Sequence, residues 1–448
     1  MGIPVTAIFD IGKTNKKFFL FDREYGTVYQ EQTTLDLIQD EDGHPTENLS
    51  ALVTWIFEIF ERAFDNPDWD INHLNFSTYG ASLVHLDLKG EPVTPLYNYT
   101  KPYPSELEAQ FYRKYGPEDN FGLSTGTSRS GMLNSGLQLY WLKHYKPEVF
   151  KTVHLSLHLP QYLSYLFTGK MVSEYTSIGC HTGLWDYSQK KYHTWLASEQ
   201  LSHLLPNPMD THSTYTISYK GKHLEVGIGI HDSSAALIPY LQGISEPFAL
   251  LSTGTWSVAM NPFTDGILTD EDQKFDCINY MQPNGRPIKA GRLFLGNEFN
   301  IQLRHIANYF NASEDGLLGS PFDAALFNSF QKDKSLFYHW ESLNAPCPEQ
   351  TVWDFKSAKM AYHRMIYELC RLQSQNLNHV IGNTPIRNVY LDGGFTANSV
   401  FVEILRRLLH PLQLKLTDST QGTALGAGVV LSKNGLTKDF LKKHYHLN

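Results

Sequence analysis

Ile8-Phe9-Asp10-Ile11-Gly12-Lys13-Thr14-Asn15 is the stretch on which the reading of this chain turns. The apolar run Val5-Thr6-Ala7-Ile8-Phe9 enters it, and Phe18-Phe19-Leu20-Phe21 leaves it. Two apolar runs around the polar turn Gly12-Lys13-Thr14-Asn15 predict a β-hairpin. About 240 residues later the order recurs: Phe248-Ala249-Leu250-Leu251, then Ser252-Thr253-Gly254-Thr255, then Trp256-Ser257-Val258-Ala259-Met260. The pair reads as a degenerate internal repeat.

Ala7, Gly12, Lys13 and Thr14 also satisfy a loosened P-loop spacing. A P-loop needs a flexible glycine-rich loop between a strand and a helix. Here Ile8, Phe9 and Ile11 read as strand, and the residues after Lys17 read as a second buried strand. The turn is therefore read as a hairpin whose backbone N–H groups and Thr, Asn and Lys side chains face an anion. The same logic applies to Gly254-Thr255 and Gly393-Gly394. Each is weak alone, since such turns are more often only turns. Three together carry more weight.

Outward from these turns the pattern alternates strand and helix, the signature of an α/β fold. Leu49, Leu52, Val53, Ile56, Phe57, Phe60 and Phe64 recur at helical spacing over about 48–65, with Asn48 as cap. Leu74-Asn75-Phe76 runs into Thr78-Tyr79-Gly80. Asn388-Val389-Tyr390-Leu391 runs into Asp392-Gly393-Gly394-Phe395, a helix follows over about 397–409, and Gly422 to Gly428 opens a small-residue helix. Pro239, Gly243 and Pro247 mark a boundary that divides the chain into residues 1–244 and 245–448. Two similar halves imply a cleft between them, where ligands commonly bind.

Composition narrows the classes. The chain has 448 residues, 42% hydrophobic and 19% charged, enough for large cores and unlike a disordered chain. Lys and Arg number 37 against 46 Asp and Glu, a net charge of −9 that argues against a general nucleic-acid binder. Cys180, Cys277, Cys347 and Cys370 show no zinc-finger spacing, and their scarcity points to a reducing compartment. No apolar run approaches the roughly 18 residues of a membrane span. The first residues lack the basic start of a secretory signal, and MGIPVT leads into a core strand rather than a lipidation site. A cytoplasmic location is the expectation.

The motifs together resemble a known family. Asp10 to Asn15, Ser252 to Thr255 and Asp392-Gly393-Gly394 are similar to the two phosphate motifs and the adenosine motif of the actin-like ATPase superfamily, and within it to the FGGY carbohydrate kinases. That resemblance implies two actin-like (ribonuclease H-like) α/β domains, each a five-stranded mixed sheet flanked by helices, closing over sugar and ATP. Ser77 to Ser82, Pro95 to Tyr99, Ser173 to Thr176, Ile230 to Ala235 and Thr423 to Gly426 look most like the L-rhamnulokinase branch. Serines stand where that branch has aspartates at both ends of the Thr78-Tyr79-Gly80 segment, and Tyr97-Asn98-Tyr99 replaces its Y-R-D.

The resemblance implies an ATP- and Mg2+-dependent ketose kinase acting on L-rhamnulose or a related deoxy-ketose. Fuculose, xylulose or ribulose kinases and a non-catalytic sugar- and nucleotide-binding regulator are the alternatives. Small-molecule sugar and ATP are the implied partners, without nucleic acid or membrane, and a homodimer is compatible with it. Asp232 matches the catalytic base, although Asp also suits a helix cap before Ser233. An ordinary aspartate, pKa near 3.9, suffices because the transition state of phosphoryl transfer is loose. Asp10 would organise Mg2+ through water. Gly12, Thr14, Asn15 and Lys16 would flank the transferred phosphoryl group, with Lys16 and Lys17 equally readable as solvated edge charges. Gly254 and Thr255 would hold the β- and γ-phosphates, and Gly393 and Gly394 would admit ATP closely. Thr78, Tyr79, Gly80, Tyr97, Asn98 and His231 are sugar-side candidates. Tyr79 and Tyr97 are equally readable as core, and His231 as a structural residue. Leu123 to Gly136 reads as a pocket border or an irregular surface loop.

Overall fold

The computed structural model describes residues 2–333, 336–343, 355–417, 421–432, 436–437 and 439–446; Cys347 lies outside them. In chain order the first half supplies β1 (Ile3–Ile11), β2 (Lys16–Phe21), β3 (Thr27–Thr33), α1 (Leu49–Phe64), β4 (Trp69–Thr78), α2 (Leu159–Thr168), β5 (Thr214–Tyr219), β6 (Lys222–Gly227), β7 (Ile230–His231) and α3 (Asp232–Gly243). The second supplies β8 (Phe248–Thr253), β9 (Ser257–Asn261), β10 (Cys277–Met281), β11 (Pro287–Leu293), α4 (Leu295–Phe310), α5 (Ala358–Ile381), β12 (Asn388–Gly393), α6 (Ser399–Leu408), β13 (Gln413–Leu416) and α7 (Gly422–Val429).

The hairpin forms as its pattern requires. β1 and β2 pair antiparallel from Thr6–Phe21 to Ile11–Lys16. Ala7, Ile8, Phe9 and Ile11 are all fully buried, so β1 is covered on both faces as the centre of a helix-flanked sheet must be. On one face Phe9 stacks on Phe76 and packs with Leu52, Ile56 and Phe60 of α1. Asn48 caps α1 by accepting a hydrogen bond from the Ala51 N–H.

The first sheet runs β5-β6-β4-β1-β2-β3, with β7 continuing beside β4. The second runs β10-β11-β9-β8-β12-β13. Each central strand therefore has an antiparallel hairpin partner on one side (β2, β9) and a parallel partner on the other (β4, β12). This bears out two mixed sheets flanked by helices and corrects their size. The first sheet has seven strands, counting β7, and the second six; an antiparallel hairpin strand closes one edge of each, β5 folding back on β6 and β10 on β11. Both make antiparallel hairpin pairs, which need only a short connection.

α3 and α7 lie between the sheets. Ile8 from β1, Leu237 and Tyr240 from α3, Leu250 from β8 and Ala427 from α7 share one core. A side chain at Gly426 would overlap the Ala235 carbonyl, so glycine is what allows the two helices to touch. Pro239 and Gly243, which mark the boundary in the sequence, lie in the second half of α3, Gly243 being its last residue. Pro239 is tolerated there, eight residues into a helix whose buried face packs on both halves. Among the described residues no helix is long and apolar enough to cross a membrane.

Candidate active site

β1 and β7 flank β4, all three parallel. Asp10 lies beside Ser77 and Ile11 beside Thr78 on one side, Ile230 beside Ser77 and His231 beside Thr78 on the other. Asp10 and Asp232 are thus delivered to the same end of the sheet with one strand between them. The carboxyl ends of parallel strands are the usual ligand crevice of α/β sheets. A hollow of about 520 Å³ between Pro4, Asp22 and His73 sits at the opposite strand ends, away from these groups.

Both carboxyls are shifted. Burial pushes Asp10 up to about 6, with Asp232 adding repulsion and a 2.9 Å hydrogen bond from the Thr423 hydroxyl opposing it. Burial also pushes Asp232 up to about 6, against hydrogen bonds from the Ser233 N–H (2.6 Å) and hydroxyl (3.2 Å). The ordinary pKa expected for Asp232 is corrected: protein surrounds it on the cleft floor, although 31% of its side chain remains open. Asp232 is also the first residue of α3 rather than its cap, the capping position being His231. Two carboxyls that repel each other in a partly dry cleft form a site whose charge a cation would offset.

The Gly12–Asn15 turn closes over this end. The Gly12 N–H donates to the Asn15 carbonyl at 3.0 Å, and Thr14 and Asn15 are exposed. Lys16 departs from both readings given to it. Only 1% exposed, its ammonium donates to the Gly12 carbonyl (3.1 Å), the Lys13 carbonyl (2.9 Å) and the Glu47 carboxylate (3.0 Å). It fastens the turn from beneath and is neither a solvated edge charge nor free to meet a ligand. The cation on the open side is Lys13, whose ammonium sits 4.9 Å from the Tyr79 ring centre and 5.0 Å from that of Tyr99. Burial lowers its pKa, partly offset by Glu47.

Among the sugar-side candidates, Tyr79, Gly80 and His231 converge here. A Cβ on Gly80 would lie 3.0 Å from Cys180 Sγ and 3.1 Å from the His231 ring, so a larger residue would require these side chains to give by a few tenths of an ångström. Thr78 is fully buried, its hydroxyl donating to the Tyr79 carbonyl at 3.0 Å. Tyr97 and Asn98 do not join the group. Tyr97 packs edge-on to Trp141 with its hydroxyl on Glu41, and the Asn98 amide is spent on the Pro45 carbonyl and the Thr100 N–H. The next residue, Tyr99, does join, its hydroxyl shifted upward by burial and then by Asp232 and Glu47. The 123–136 segment forms a wall rather than a loose loop: the Leu133 carbonyl meets the His181 ring and Ser128 accepts from Arg292.

Glu174 and Thr176 act one layer behind. Buried Glu174 caps the short helix Tyr175–Ile178 and accepts from the Thr176 hydroxyl at 2.9 Å, while Thr176 accepts from the His231 N–H at 3.0 Å. That chain fixes the backbone immediately before Asp232.

In the second half, the ends of β8 and β12 are tied by Thr253, whose hydroxyl donates to the Asp392 carbonyl (2.6 Å) and accepts from the Phe395 N–H (3.2 Å). Gly393 has φ +89°, and a Cβ there would overlap the Thr253 carbonyl. At Gly394 a Cβ would meet nothing within 4 Å. Gly254, Thr255, Gly296, Phe299, Gly394 and Phe395 line a cavity of about 410 Å³. It combines open backbone at its glycines with two aromatic rings, 5.1 Å apart between centres. Phe299 and Gly296 were missed in sequence because α4 carries no phosphate-like motif. Lys13 belongs to the turn whose Thr, Asn and Lys side chains the sequence places toward an anion, whereas the place of Tyr99 here depends on contacts with residues distant in the chain and carries no local signal.

The N-terminal domain profile of the FGGY family of carbohydrate kinases matches residues 5–213, and the profile "Carbohydrate kinase FGGY, C-terminal domain" matches residues 245–438. The fold is similar to that of a carbohydrate kinase from Novosphingobium aromaticivorans (21% identity, TM-score 0.79, covering 95% of this chain and 93% of that one). It is also similar to a ligand-bound xylulose kinase from Lactobacillus acidophilus (16%, TM-score 0.81, 99% and 92%). A gluconate kinase from the same organism is a third such structure (15%, TM-score 0.77, 99% and 92%).

Proposed function

This chain belongs to the FGGY family of carbohydrate kinases, and from that premise we propose that it transfers the γ-phosphoryl group of ATP to a hydroxyl of a ketose, L-rhamnulose or a related deoxy-ketose first among them. The observation that carries this reading is the Asp10–Asp232 pair at neighbouring strand ends beneath the Gly12–Asn15 turn. On this reading residues 1–244 bind the sugar and carry the base, and residues 245–448 bind ATP.

Phosphoryl transfer asks mainly for positioning and charge neutralisation. Asp232 accepts the proton of the attacking hydroxyl. A carboxyl titrating at about 6 is a stronger base than an ordinary aspartate and is still mostly ionised at pH 7. Gly12, Thr14 and Asn15 present donors to the transferred group from above. Lys13, aimed by the Tyr79 and Tyr99 rings, takes the cationic role that the resemblance gave to Lys16. Mg2+ held near Asp10 supplies neutralisation of phosphate charge, and the repulsion between Asp10 and Asp232 fits a cation there. Gly254 and Thr255 receive the phosphates, Gly394 gives close approach, and Phe299 and Phe395 offer ring faces to the base. Tyr79, Gly80 and His231 border the sugar.

A coupled assay of ADP release with L-rhamnulose, L-fuculose, xylulose and ribulose tests the reading. Preference for L-rhamnulose supports it, and preference for another ketose reassigns the substrate. Absence of sugar-dependent ADP release with all four contradicts the ketose kinase reading.

A further inference from the structure

Behind Asp232, three buried side chains converge that phosphoryl transfer does not require: Cys180, His181 and His231. Their donor atoms lie within 4.8 Å of one another. Cys180 Sγ is 3.0 Å from Nε2 of His231. The Ser234 hydroxyl donates to the Met281 carbonyl at 3.1 Å and lies 3.5 Å from Nδ1 of His231. Nε2 of His231 faces both Cys180 Sγ, at 3.0 Å, and Asp232 Oδ1, at 3.1 Å. In His181, Nδ1–H donates to the Leu133 carbonyl at 3.1 Å, leaving Nε2 with a lone pair.

Two imidazoles and a thiol, with the His181 ring anchored through Nδ1, are the donor set of a soft-metal site once protons on the metal-facing atoms are released. His181 is held there at φ +39°, left-handed backbone that histidine seldom adopts. An oxygen donor lies alongside: Asp232 Oδ1 is 3.1 Å from His231 Nε2, and 31% of the Asp232 side chain is open.

We infer that Cys180, His181 and His231 form a three-residue binding site for a soft divalent cation of the Zn2+ class, with Asp232 beside its fourth position. Tetrahedral zinc needs bonds of about 2.0–2.3 Å, so donors about 3.3–3.7 Å apart, within small side-chain shifts of those present. Binding forms one metal–sulfur bond and releases the Cys180 thiol proton to solvent, without change of oxidation state. Burial is the main influence that pushes the Cys180 thiol up; Asp232 and Glu174 add to it and Arg292 opposes it, so the metal itself must stabilise the thiolate. A metal held by strong sulfur and nitrogen bonds suits that balance better than Mg2+ or Ca2+. Occupancy would take the carboxylate from the sugar, a consequence that rests on the kinase reading above; binding itself does not.

The test is titration of the full chain with Co2+ alone, without sugar or nucleotide, followed by displacement with Zn2+. A thiolate-to-cobalt charge-transfer band saturating at one Co2+ per chain is expected. Cys180→Ser should abolish it, Cys277→Ser should keep it, and His181→Ala should weaken Co2+ binding by about tenfold or more, circular dichroism showing each variant folded. No band in the parent chain, or a band surviving Cys180→Ser, overturns the site. Zn2+ should also suppress turnover reversibly on chelation. Bound metal with undiminished turnover leaves the three-residue site standing and overturns its coupling to Asp232.

Discussion

Nζ of Lys16 lies 3.0 Å from Oε1 of Glu47, with 2% and 3% of the two side chains exposed. An ion pair this deep holds the phosphate-facing turn in place, because the same ammonium also takes two carbonyls of that turn. Removing one partner of a buried pair leaves an uncompensated charge, typically costing about 3–5 kcal/mol. Lys16→Met should therefore lower stability by that order, read from the urea unfolding midpoint. Little change in the midpoint would mean that the pair does not hold the turn.

Lys13 differs in degree: 27% of its side chain is open, and its ion pair with the same Glu47 is longer, at 3.9 Å. Lys13→Met should leave the unfolding midpoint within about 1 kcal/mol. It should lower kcat by about 100-fold, the scale of losing one charge-stabilising contact to a transition state. Steady-state kinetics beside an unfolding curve separates the two lysines. A Lys13 variant with full turnover would remove this cation from the site.

The same comparison shows what was legible beforehand. β1, β2, β8 and β9 are readable because their residues are apolar on both faces, which only a covered central strand tolerates. α1 is readable from Asn48 and its spacing. β5 was not, because Thr214–Tyr219 is a half-exposed edge strand whose residues make no continuous apolar run. Lys16 was misread because its burial depends on Glu47, 31 residues away. Tyr97 and Tyr99 are indistinguishable as letters, and only packing turns one toward Trp141 and the other toward Asp232. The Cys180–His231 contact spans 51 residues and follows from no local pattern.

Gly393 and Gly394 make opposite predictions. Gly393→Ala places a Cβ on the Thr253 carbonyl in a left-handed conformation and should destabilise the second half by about 3 kcal/mol or more. Gly394→Ala meets open space and should fold normally, while raising the Kd for ATP about tenfold, or 1.4 kcal/mol, if this backbone faces the nucleotide. Thermal melts and ATP titration distinguish the outcomes. Unchanged ATP affinity in Gly394→Ala would move the nucleotide elsewhere.

The raised carboxyls set a pH dependence with a definite sign. A carboxyl whose folded pKa is raised contributes stability that is fully present below its unfolded value of 3.8 and is lost as pH rises through about 6. Asp10→Asn should thus melt above the parent chain at pH 7.5 without metal, the gap closing toward pH 4. An Asp10→Asn variant less stable at pH 7.5 would contradict the burial account.

Catalysis carries the opposite slope, because the base must be ionised. kcat/KM should rise with pH through about 6 and level off near neutrality. A profile flat from pH 5 to pH 8 would show that the limiting step uses no group titrating there.

The most direct measurement is turnover of Asp232→Asn on its preferred ketose, set beside ATP affinity in the same preparation. The asparagine keeps shape and removes the base. kcat should fall by about 100- to 10,000-fold, the usual contribution of a general base, while the Kd for ATP stays within about twofold, or roughly 0.4 kcal/mol. Turnover close to that of the parent chain would contradict Asp232 as the group that accepts the sugar's proton, and with it the reading of this cleft.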